Sequence, residues 1–374
     1  MNRHVIRLGR ILGISIELDY SWFLIFALMT WTLAVGYYPA EFAGWPSVWY
    51  WSLGAITAVM LFVSVLLHEL GHSIIALSYK IPVRSITLFI FGGVAQIGAE
   101  PPSARAEFWI AVAGPAVSFA LALFFALLQP LSGGFPPLLA LVTYLTYINA
   151  SLVLFNLIPG FPLDGGRVFR AIVWGVTRDL RRATVIAGGV GRFFGFLFIV
   201  LGVSQVLGGN VFNGLWIAFI GWFLESAAAS QVQYQALESL LAGHKVSDAM
   251  HRNYREIPAD TLLQELVDHH ILASGQRVFV VKAGDDVVGL VTLHQVKEVP
   301  RCHWATTTAA QAMVPVGRMK WIRPDAGLSA ALKEMDSDGV NQLPVVADNR
   351  VTGMLTREGI LSFLSAVQEF QTCR

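Results

Sequence analysis

The sequence predicts a polytopic α-helical membrane protein with about six transmembrane helices, a small membrane-associated β-sheet and a C-terminal α/β domain. Of its 374 residues, 55% are hydrophobic and only 14% are charged. Soluble proteins carry about 25% charged residues, so this composition indicates a membrane protein. Long apolar runs fill the chain up to about residue 230, and the composition of an ordinary soluble domain follows.

Six apolar runs approach or exceed the roughly 20 residues that a helix needs to cross a hydrocarbon core of about 30 Å. The stretch 108–163 contains no Asp, Glu, Lys or Arg, but the turn residues at 133–137 divide it into two spans. The predicted spans are residues 21–38, 51–79, 108–128, 138–157, 183–206 and 211–229.

Basic residues occur in every second loop. Under the positive-inside rule this alternation places both termini in the cytoplasm and predicts a multi-pass protein of the plasma membrane, in contact with the lipid bilayer. The formal net charge of +1 gives no indication of a nucleic-acid partner. The basic residues of these loops are Arg3, Arg7, Arg10, Lys80, Arg84, Arg105, Arg167, Arg170, Arg178, Arg181 and Arg182.

Two short segments have the composition of strands. Residues 5–16 are rich in Ile and Leu, and residues 83–97 are rich in β-branched and aromatic side chains. Gly92 and Gly93 suit a turn or a bulge in the second segment. A hairpin at membrane depth requires that protein or a cavity cover its edges.

The segment His68-Glu69-Leu70-Gly71-His72 lies within the second predicted span. Residues four apart share a helix face, so both imidazoles can reach one metal ion, and Glu69 can reach a water molecule as general base. Glu69 is the one formally charged residue between 42 and 79. A carboxylate in the hydrocarbon core costs roughly 2.5–3.5 kcal/mol on insertion scales, so a function must offset it. The alternative is that the motif occurs by chance and that its histidines are ordinary core residues. Three ionisable groups within about one turn of a membrane span argue against this alternative.

A catalytic zinc site needs a third protein ligand and an open fourth position. Asp164 is the leading candidate, because it ends the uncharged stretch and follows the helix breakers Pro159, Gly160 and Pro162. Glu225 in the last span is the rival. Asp164 could instead be a turn residue or a helix N-cap.

The polar tail repeats internally with an offset of 63–65 residues, which indicates a duplicated unit of about 60 residues. The predicted domains are a membrane domain at 1–230, a linker at 231–244, and repeats at 245–300 and 301–374. The matching segments are 246–250 with 309–313, 277–281 with 342–346, and 289–292 with 353–356.

Four motifs in order resemble the site-2 protease family of intramembrane zinc metalloproteases, in the branch that contains the sporulation stage IV protease. They are His-Glu-Leu-Gly-His at 68–72, Phe-Gly-Gly-Val-Ala at 91–95, Ala-Gly-Pro at 113–115, and Asn-Leu-Ile-Pro-Gly-Phe-Pro-Leu-Asp-Gly-Gly-Arg at 156–167. The tail resembles a tandem pair of cystathionine-β-synthase (CBS) domains.

The resemblance implies one Zn²⁺ per subunit, held by His68, His72 and Asp164, with Glu69 activating water. It assigns Asn156 to substrate or oxyanion binding, and Asn149, two turns earlier, could share that role or form an interhelical hydrogen bond. An extended substrate would pair with the edge of the hairpin at Gly92, Gly93 and Val94. The implied substrates are membrane-anchored regulators resembling anti-sigma factors or pro-transcription factors.

In CBS pairs, a Gly-x-x-Thr-x-x-Asp run often contacts an adenine nucleotide. Thr292 and Thr356 keep the threonine, whereas Gln295 and Gly359 replace the acidic residue. An adenine nucleotide is therefore one expectation, and a purely structural module that forms a homodimer is the other.

Two other functions compete with regulated intramembrane proteolysis. A CBS-regulated transporter or channel would need polar groups along a path through several spans, and this sequence concentrates them at one site. An inactive scaffold would not need the intact set of His68, Glu69, His72 and Asp164.

Overall fold

The computed structural model describes residues 5–372 except 275, 277, 285, 348 and 349. Some of the expectations above fall outside the described residues. They concern Arg3, Arg277 within the repeat, and the first four and last two residues of the predicted domains. The chain divides into two compact units, Met1–Ala236 and Leu237–Arg374.

Within the described residues, six helices are long and apolar enough to cross a membrane, which confirms the predicted number. A short amphipathic helix, α6 (Asp164–Thr177), lies between the fourth and the fifth of them. The spans are Ser21–Glu41, Ser47–Ser78, Ala104–Leu128, Pro136–Asn156, Leu180–Leu207 and Val211–Leu241. The first span consists of α1 (Ser21–Thr32) and α2 (Tyr38–Glu41), joined by a π-helical turn (Leu33–Tyr37). The other five spans are α3 (Ser47–Ser78), α4 (Ala104–Leu128), α5 (Pro136–Asn156), α7 (Leu180–Leu207) and α8 (Val211–Leu241).

Several helices begin earlier than the apolar runs, because their first turns are fixed by local capping. The Ser103 side chain accepts a hydrogen bond from the Ala106 N–H at 3.2 Å and starts α4. The Asp179 side chain likewise accepts a hydrogen bond from the Arg182 N–H at 3.0 Å and starts α7. Helix α8 continues to Leu241, so most of the segment predicted as a linker at 231–244 is helical.

The membrane unit also contains a four-stranded sheet in the order β1-β2-β3-β4. Its strands are β1 (Val5–Ile11), β2 (Ile14–Asp19), β3 (Val83–Phe89) and β4 (Gly92–Ile97). β2 and β3 are parallel, and the other two pairs are antiparallel. The turn of the second hairpin lies at residues 90–91, so Gly92 and Gly93 belong to β4 and do not form the turn.

One face of this sheet packs against the helices that carry the predicted site. Buried side chains of Ile14, Ile16 and Ile86 meet Leu70 of α3 and Ile110 of α4. β4 is an edge strand, and it pairs with β3 on one side. The sheet therefore fixes the position of β4 relative to the centre of α3.

The second unit contains the two repeats in interleaved form. The four-stranded sheet β5-β6-β7-β8 and the pair β10-β9 form its two halves. The Met313 sulfur packs beside Gly289, and the Met250 sulfur packs beside Gly353, so the first segment of each repeat contacts the sheet of the other. The elements are α9 (Val246–Ala249), β5 (Arg255–Pro258), α10 (Leu263–Glu265), α11 (Leu272–Ser274), β6 (Val278–Ala283), β7 (Asp286–Thr292), α12 (Leu293–Glu298), α13 (Ala309–Ala312), β8 (Val314–Pro315), α14 (Leu328–Asp338), β9 (Gln342–Ala347), β10 (Arg350–Thr356) and α15 (Arg357–Thr372).

Candidate metal centre

Three predicted ligands converge at one point of the membrane unit. His68 and His72 lie one turn apart on α3, and their Nε2 atoms are 3.2 Å apart. The Asp164 Oδ2 atom lies 3.0 Å from the His68 Nε2 atom and 3.2 Å from the His72 Nε2 atom. The structure brings Asp164, and not Glu225, to the histidines. Within the described residues, these three form the one group of His, Cys, Asp or Glu side chains placed to hold a metal ion.

The spacing of the three atoms fits a tetrahedral zinc site. Zinc binds imidazole nitrogen and carboxylate oxygen at about 2.0–2.2 Å, so ligand atoms in a tetrahedron lie roughly 3.3 Å apart. The observed separations of 3.0 to 3.2 Å are close to that value. If these three side chains bind zinc, the fourth position stays open for water or substrate, which is the arrangement of a catalytic zinc.

The outer nitrogens of both rings are fixed by α4. The His72 Nδ1 atom donates a hydrogen bond to the Ile110 carbonyl at 2.6 Å, because a carbonyl only accepts. The His68 Nδ1 atom lies 2.9 Å from the Ser118 Oγ atom. A neutral imidazole with its proton on Nδ1 presents a lone pair on Nε2. The His72 ring in this state directs its Nε2 lone pair towards the Asp164 carboxylate oxygen 3.2 Å away, which is the arrangement of two ligands around a cation.

Gly114 of α4 allows the rings to approach the helix. A Cβ at this position would lie 2.2 Å from the His72 Nε2 atom and 2.6 Å from the His68 Nε2 atom. Both distances are far below van der Waals contact, so any side chain here would displace the rings. The glycine of the Ala-Gly-Pro motif is therefore needed because only a residue without a side chain leaves room for the two rings.

Asp164 is the first residue of α6 and follows a tight loop. The Leu163 N–H donates to the Gly160 carbonyl at 3.1 Å, and the Phe161 ring is buried beside Ala187 and Ala228. The Asp164 side chain is 13% exposed, and its Oδ2 atom faces the Nε2 atoms of both histidines.

Glu69 faces the edge strand of the sheet. Its carboxylate accepts a hydrogen bond from the Ala95 N–H of β4. A Cβ on Gly93 would lie 2.7 Å from the Glu69 Cγ atom, so glycine is required for this close approach. Gly92 and Gly93 are half-buried, and Val94 is 49% exposed.

The two asparagines have different surroundings. Asn149 is fully buried, and its amide donates to the Ser64 Oγ atom at 3.2 Å and to the Leu145 carbonyl at 2.8 Å. Asn156 is half-buried at the end of α5, and its amide has no hydrogen-bond partner among the described residues. Asn156 is therefore the freer of the two to bind a substrate.

Glu225, the rival ligand, lies on α8. Its Oε1 atom is 2.8 Å from the Nε atom of Arg192 on α7, which forms a separate ion pair.

Thr292 and Thr356 both line a cavity of about 860 Å³ in the second unit, together with His251, Lys297 and Glu358. Both hydroxyls also have local partners. The Thr292 Oγ1 atom accepts from the His294 N–H at 3.2 Å, and the Thr356 Oγ1 atom accepts from the Gly359 N–H at 3.0 Å. The cavity has the size of a small-molecule site.

Sequence reasoning missed the two groups that orient the histidines, Ser118 and the Ile110 carbonyl. No sequence pattern identifies which backbone carbonyl will accept a hydrogen bond from a histidine. Ser118 lies four residues after Gly114, on the same face of α4, and this spacing is the one available signal.

Both units of the chain are similar to known proteins. The profile of peptidase family M50 matches residues 56–138 and 135–202, and that of the CBS domain matches residues 246–301 and 312–366. Rip3 of Mycobacterium tuberculosis, which carries the name of a zinc metalloprotease, is 36% identical over 359 residues, covering 95% of this chain and 91% of Rip3. The similarly named sll0528 of Synechocystis is 34% identical over 367 residues, covering 97% of this chain and 96% of sll0528.

A solved structure of the site-2 protease from Methanocaldococcus jannaschii covers 61% of this chain and 95% of that chain, with 29% identity and a TM-score of 0.42. From the family profiles and the two long relatives together, the chain belongs to peptidase family M50, the site-2 proteases, and is a multi-pass zinc metalloprotease with tandem CBS domains.

Proposed function

We propose that His68, His72 and Asp164 hold one zinc ion per subunit, and that this centre hydrolyses peptide bonds of membrane-anchored protein substrates. The observation that carries the proposal is the convergence of two imidazole nitrogens and one carboxylate oxygen within 3.0 to 3.2 Å of one another. The Nδ1 proton of His72, fixed by the Ile110 carbonyl, supports the ligand role, since it leaves the Nε2 atom of that ring free to bind a cation. The Ser118 hydroxyl holds the Nδ1 side of the His68 ring in the same way.

Glu69 is proposed as the general base that takes a proton from the attacking water and later gives it to the leaving amine. A bound zinc ion supplies a Lewis acid that polarises the scissile carbonyl and lowers the pKa of water towards about 7. The Ala95 N–H orients the Glu69 carboxylate. The amide of Asn156, which has no partner within the described part of the chain, is proposed to donate to the negative charge that develops on the carbonyl oxygen.

The substrate is proposed to bind as an extended segment along β4, at Gly92, Gly93 and Val94. An edge strand offers backbone hydrogen bonds to a peptide that has unwound from a transmembrane helix. Proximity to Glu69 supports this site, because Gly93 packs directly on its side chain. Asn149 is a weaker candidate for substrate contact. We propose membrane-anchored regulators of the anti-sigma or pro-transcription-factor kind as substrates.

The decisive experiment compares zinc content and cleavage in wild type, Glu69→Gln and Asp164→Asn, using a model transmembrane substrate in liposomes. Glu69→Gln should keep zinc and lose about 10²–10⁴-fold in rate, the usual contribution of general acid–base catalysis. Asp164→Asn should lose both zinc and activity. Glu41→Gln, at the end of the first span, is the control and should behave as wild type. Undiminished cleavage by Glu69→Gln would refute the mechanism.

We propose that the protein lies in the plasma membrane with both termini in the cytoplasm. The alternation of basic loops supports this orientation. Cys302 is exposed in the second unit, so it can report the side on which that unit lies. In a Cys373→Ser background, a membrane-impermeant maleimide should label Cys302 in inverted vesicles and leave it unlabelled in intact cells. Labelling in intact cells would reverse the orientation.

The second unit is proposed to regulate the protease through an adenine nucleotide and to form a homodimer. The cavity beside Thr292 and Thr356 supports a ligand of this size. Titration calorimetry of the full chain in detergent with ATP, AMP and S-adenosylmethionine tests the ligand, and no heat with any of the three would contradict it. Mass measurement in the same detergent tests the dimer. The predicted boundaries at 230, 245 and 300 remain part of this proposal.

A further inference from the structure

A second set of charged groups is buried on α4 and α6 and has no part in the chemistry described above. Glu107 of α4 is fully buried, and the Arg170 side chain of α6 is 5% exposed. The Arg170 Nε atom donates to the Glu107 Oε1 atom at 2.6 Å, and an Nη atom also contacts that oxygen. Both nitrogens thus contact the same Glu107 oxygen, while the Oε2 atom is buried without a hydrogen-bond partner among the described residues. This charged contact connects α4 to α6.

Arg170 has two further partners, on other elements. Its Nη1 atom lies 3.4 Å from the Thr184 Oγ1 atom of α7. Its guanidinium carbon lies 5.2 Å from the centre of the Phe161 ring, in the loop before Asp164. One side chain therefore connects two helices to the start of α6.

These contacts lie on the same elements as the candidate ligands. Glu107 is one turn before Ile110, whose carbonyl accepts from His72, and it shares its helix face with Gly114 and Ser118. Asp164 begins the helix that carries Arg170. A shift of α6 relative to α4 would move the Asp164 carboxylate away from the two rings.

Stability alone does not explain this pair. Burying two charges carries a desolvation cost that their attraction often only balances, and apolar residues of similar size commonly serve packing as well. Such pairs are best attested as devices that fix one arrangement. The pair between Arg192 and Glu225 differs, because its side chains are 59% and 31% exposed and it joins α7 to α8, neither of which carries a candidate ligand.

We propose that the pair of Glu107 and Arg170 is a positioning device that holds the Asp164 carboxylate against His68 and His72. The inference rests on the proposed function, in which Asp164 is a zinc ligand. Neither residue touches the reacting atoms. Their effect is on the zinc affinity and the coordination number of the centre.

The test uses the full chain in detergent, loaded with Co²⁺, whose visible absorption is strong in a tetrahedral site and weak in a six-coordinate one. Zinc Kd is measured by chelator competition for Arg170→Gln, Arg170→Lys, Asp164→Asn and the double variant. Arg170→Gln should weaken zinc binding about 10–100-fold, as changes in outer-shell partners do, and lower the Co²⁺ absorption in the same way as Asp164→Asn. Arg170→Lys keeps the charge and should recover part of the loss.

A positioning role also predicts non-additivity. Once Asp164 is asparagine, removing Arg170 should weaken zinc binding by less than twofold further, because both changes act through one ligand. Glu225→Gln is the matched control and should keep the wild-type Kd and spectrum. Thermal unfolding of each metal-free variant separates loss of the ligand from loss of the fold.

Each contrary result has a distinct meaning. Wild-type Kd and spectrum in Arg170→Gln, beside a defective Asp164→Asn, would overturn the positioning role alone. Fully additive losses in the double variant would do the same. Wild-type zinc binding in Asp164→Asn would overturn the ligand assignment and this inference with it.

Discussion

The metal centre and the cavity of the second unit are both marked by motifs, but their polar groups are satisfied in different ways. At the metal centre the partners lie far apart in sequence: Asp164 is 96 residues from His68, and Ser118 is 50 residues from it. In the cavity, the hydroxyls of Thr292 and Thr356 bond to backbone two or three residues away. Long-range partners indicate a site assembled by the fold, whereas local partners are explained by helix capping alone.

The largest expected effect tests whether the long-range packing at the metal centre is essential. Gly114→Ala would place a Cβ 2.2 Å from the His72 Nε2 atom, so the ring must move. We expect zinc affinity to fall roughly 100-fold or more, beyond the usual cost of an outer-shell change. Zinc content after dialysis and the Co²⁺ spectrum measure it. Gly189→Ala on α7, where a Cβ meets open space, should behave as wild type.

Full zinc occupancy in Gly114→Ala would mean that the rings are not held against α4. The claim that the metal centre, unlike the cavity, depends on long-range packing would then lose its main support.

A smaller effect is expected from the hydroxyl that orients His68. Ser118→Ala removes the partner of the Nδ1 atom but leaves the ligand in place. Loss of such a partner typically weakens metal binding 10–100-fold. Chelator competition gives the Kd. Ser204→Ala, whose hydroxyl bonds to the Leu201 carbonyl of its own helix, is the control and should keep the wild-type Kd. Equal affinities in the two variants would contradict an orienting role for Ser118.

The smallest effect is expected in the cavity. Thr292→Ala removes the cap of α12 and should destabilise that helix by about 1 kcal/mol, with zinc binding unchanged. Hydrogen exchange of peptides that cover α12 in the full chain measures this change. Thr306→Ala, whose hydroxyl donates to the His303 carbonyl, is the control. If Thr292→Ala instead abolishes nucleotide binding, the threonine has a ligand role beyond capping and the comparison must be revised.

The spans and the ligand pair could be predicted because each depends on composition or spacing within one segment. Asp164 could be proposed because charged residues are scarce in the apolar sequence. Ser118 could not, since serines on apolar helices usually bond to the carbonyl four residues back, as Ser64 and Ser73 do here. Only the packing of α4 on α3 separates Ser118 from the other two.

The hairpin shows another limit of sequence reasoning. Two adjacent glycines favour a turn, yet the structure uses Gly93 for the close approach of β4 to Glu69. A tight turn and a close approach both require a residue without a side chain. The local sequence therefore cannot distinguish between them. The interleaving of the two repeats was equally hidden, because the offset of 63–65 residues is preserved whichever half each first segment packs against.

The parallel pairing of β2 with β3 has a consequence for how the protein is made. The hairpin of β1 and β2 is synthesised first, but β3 follows only after α1, α2 and α3 have left the ribosome. The edge of β2 therefore stays unpaired with β3 until two spans have been synthesised. Helix α3, which carries Glu69, is likewise synthesised before β4, the strand that contacts Glu69. Asp164 comes later still, after α5. With Asp164 as the proposed third ligand, a growing chain lacks a complete centre until its fourth span has been made.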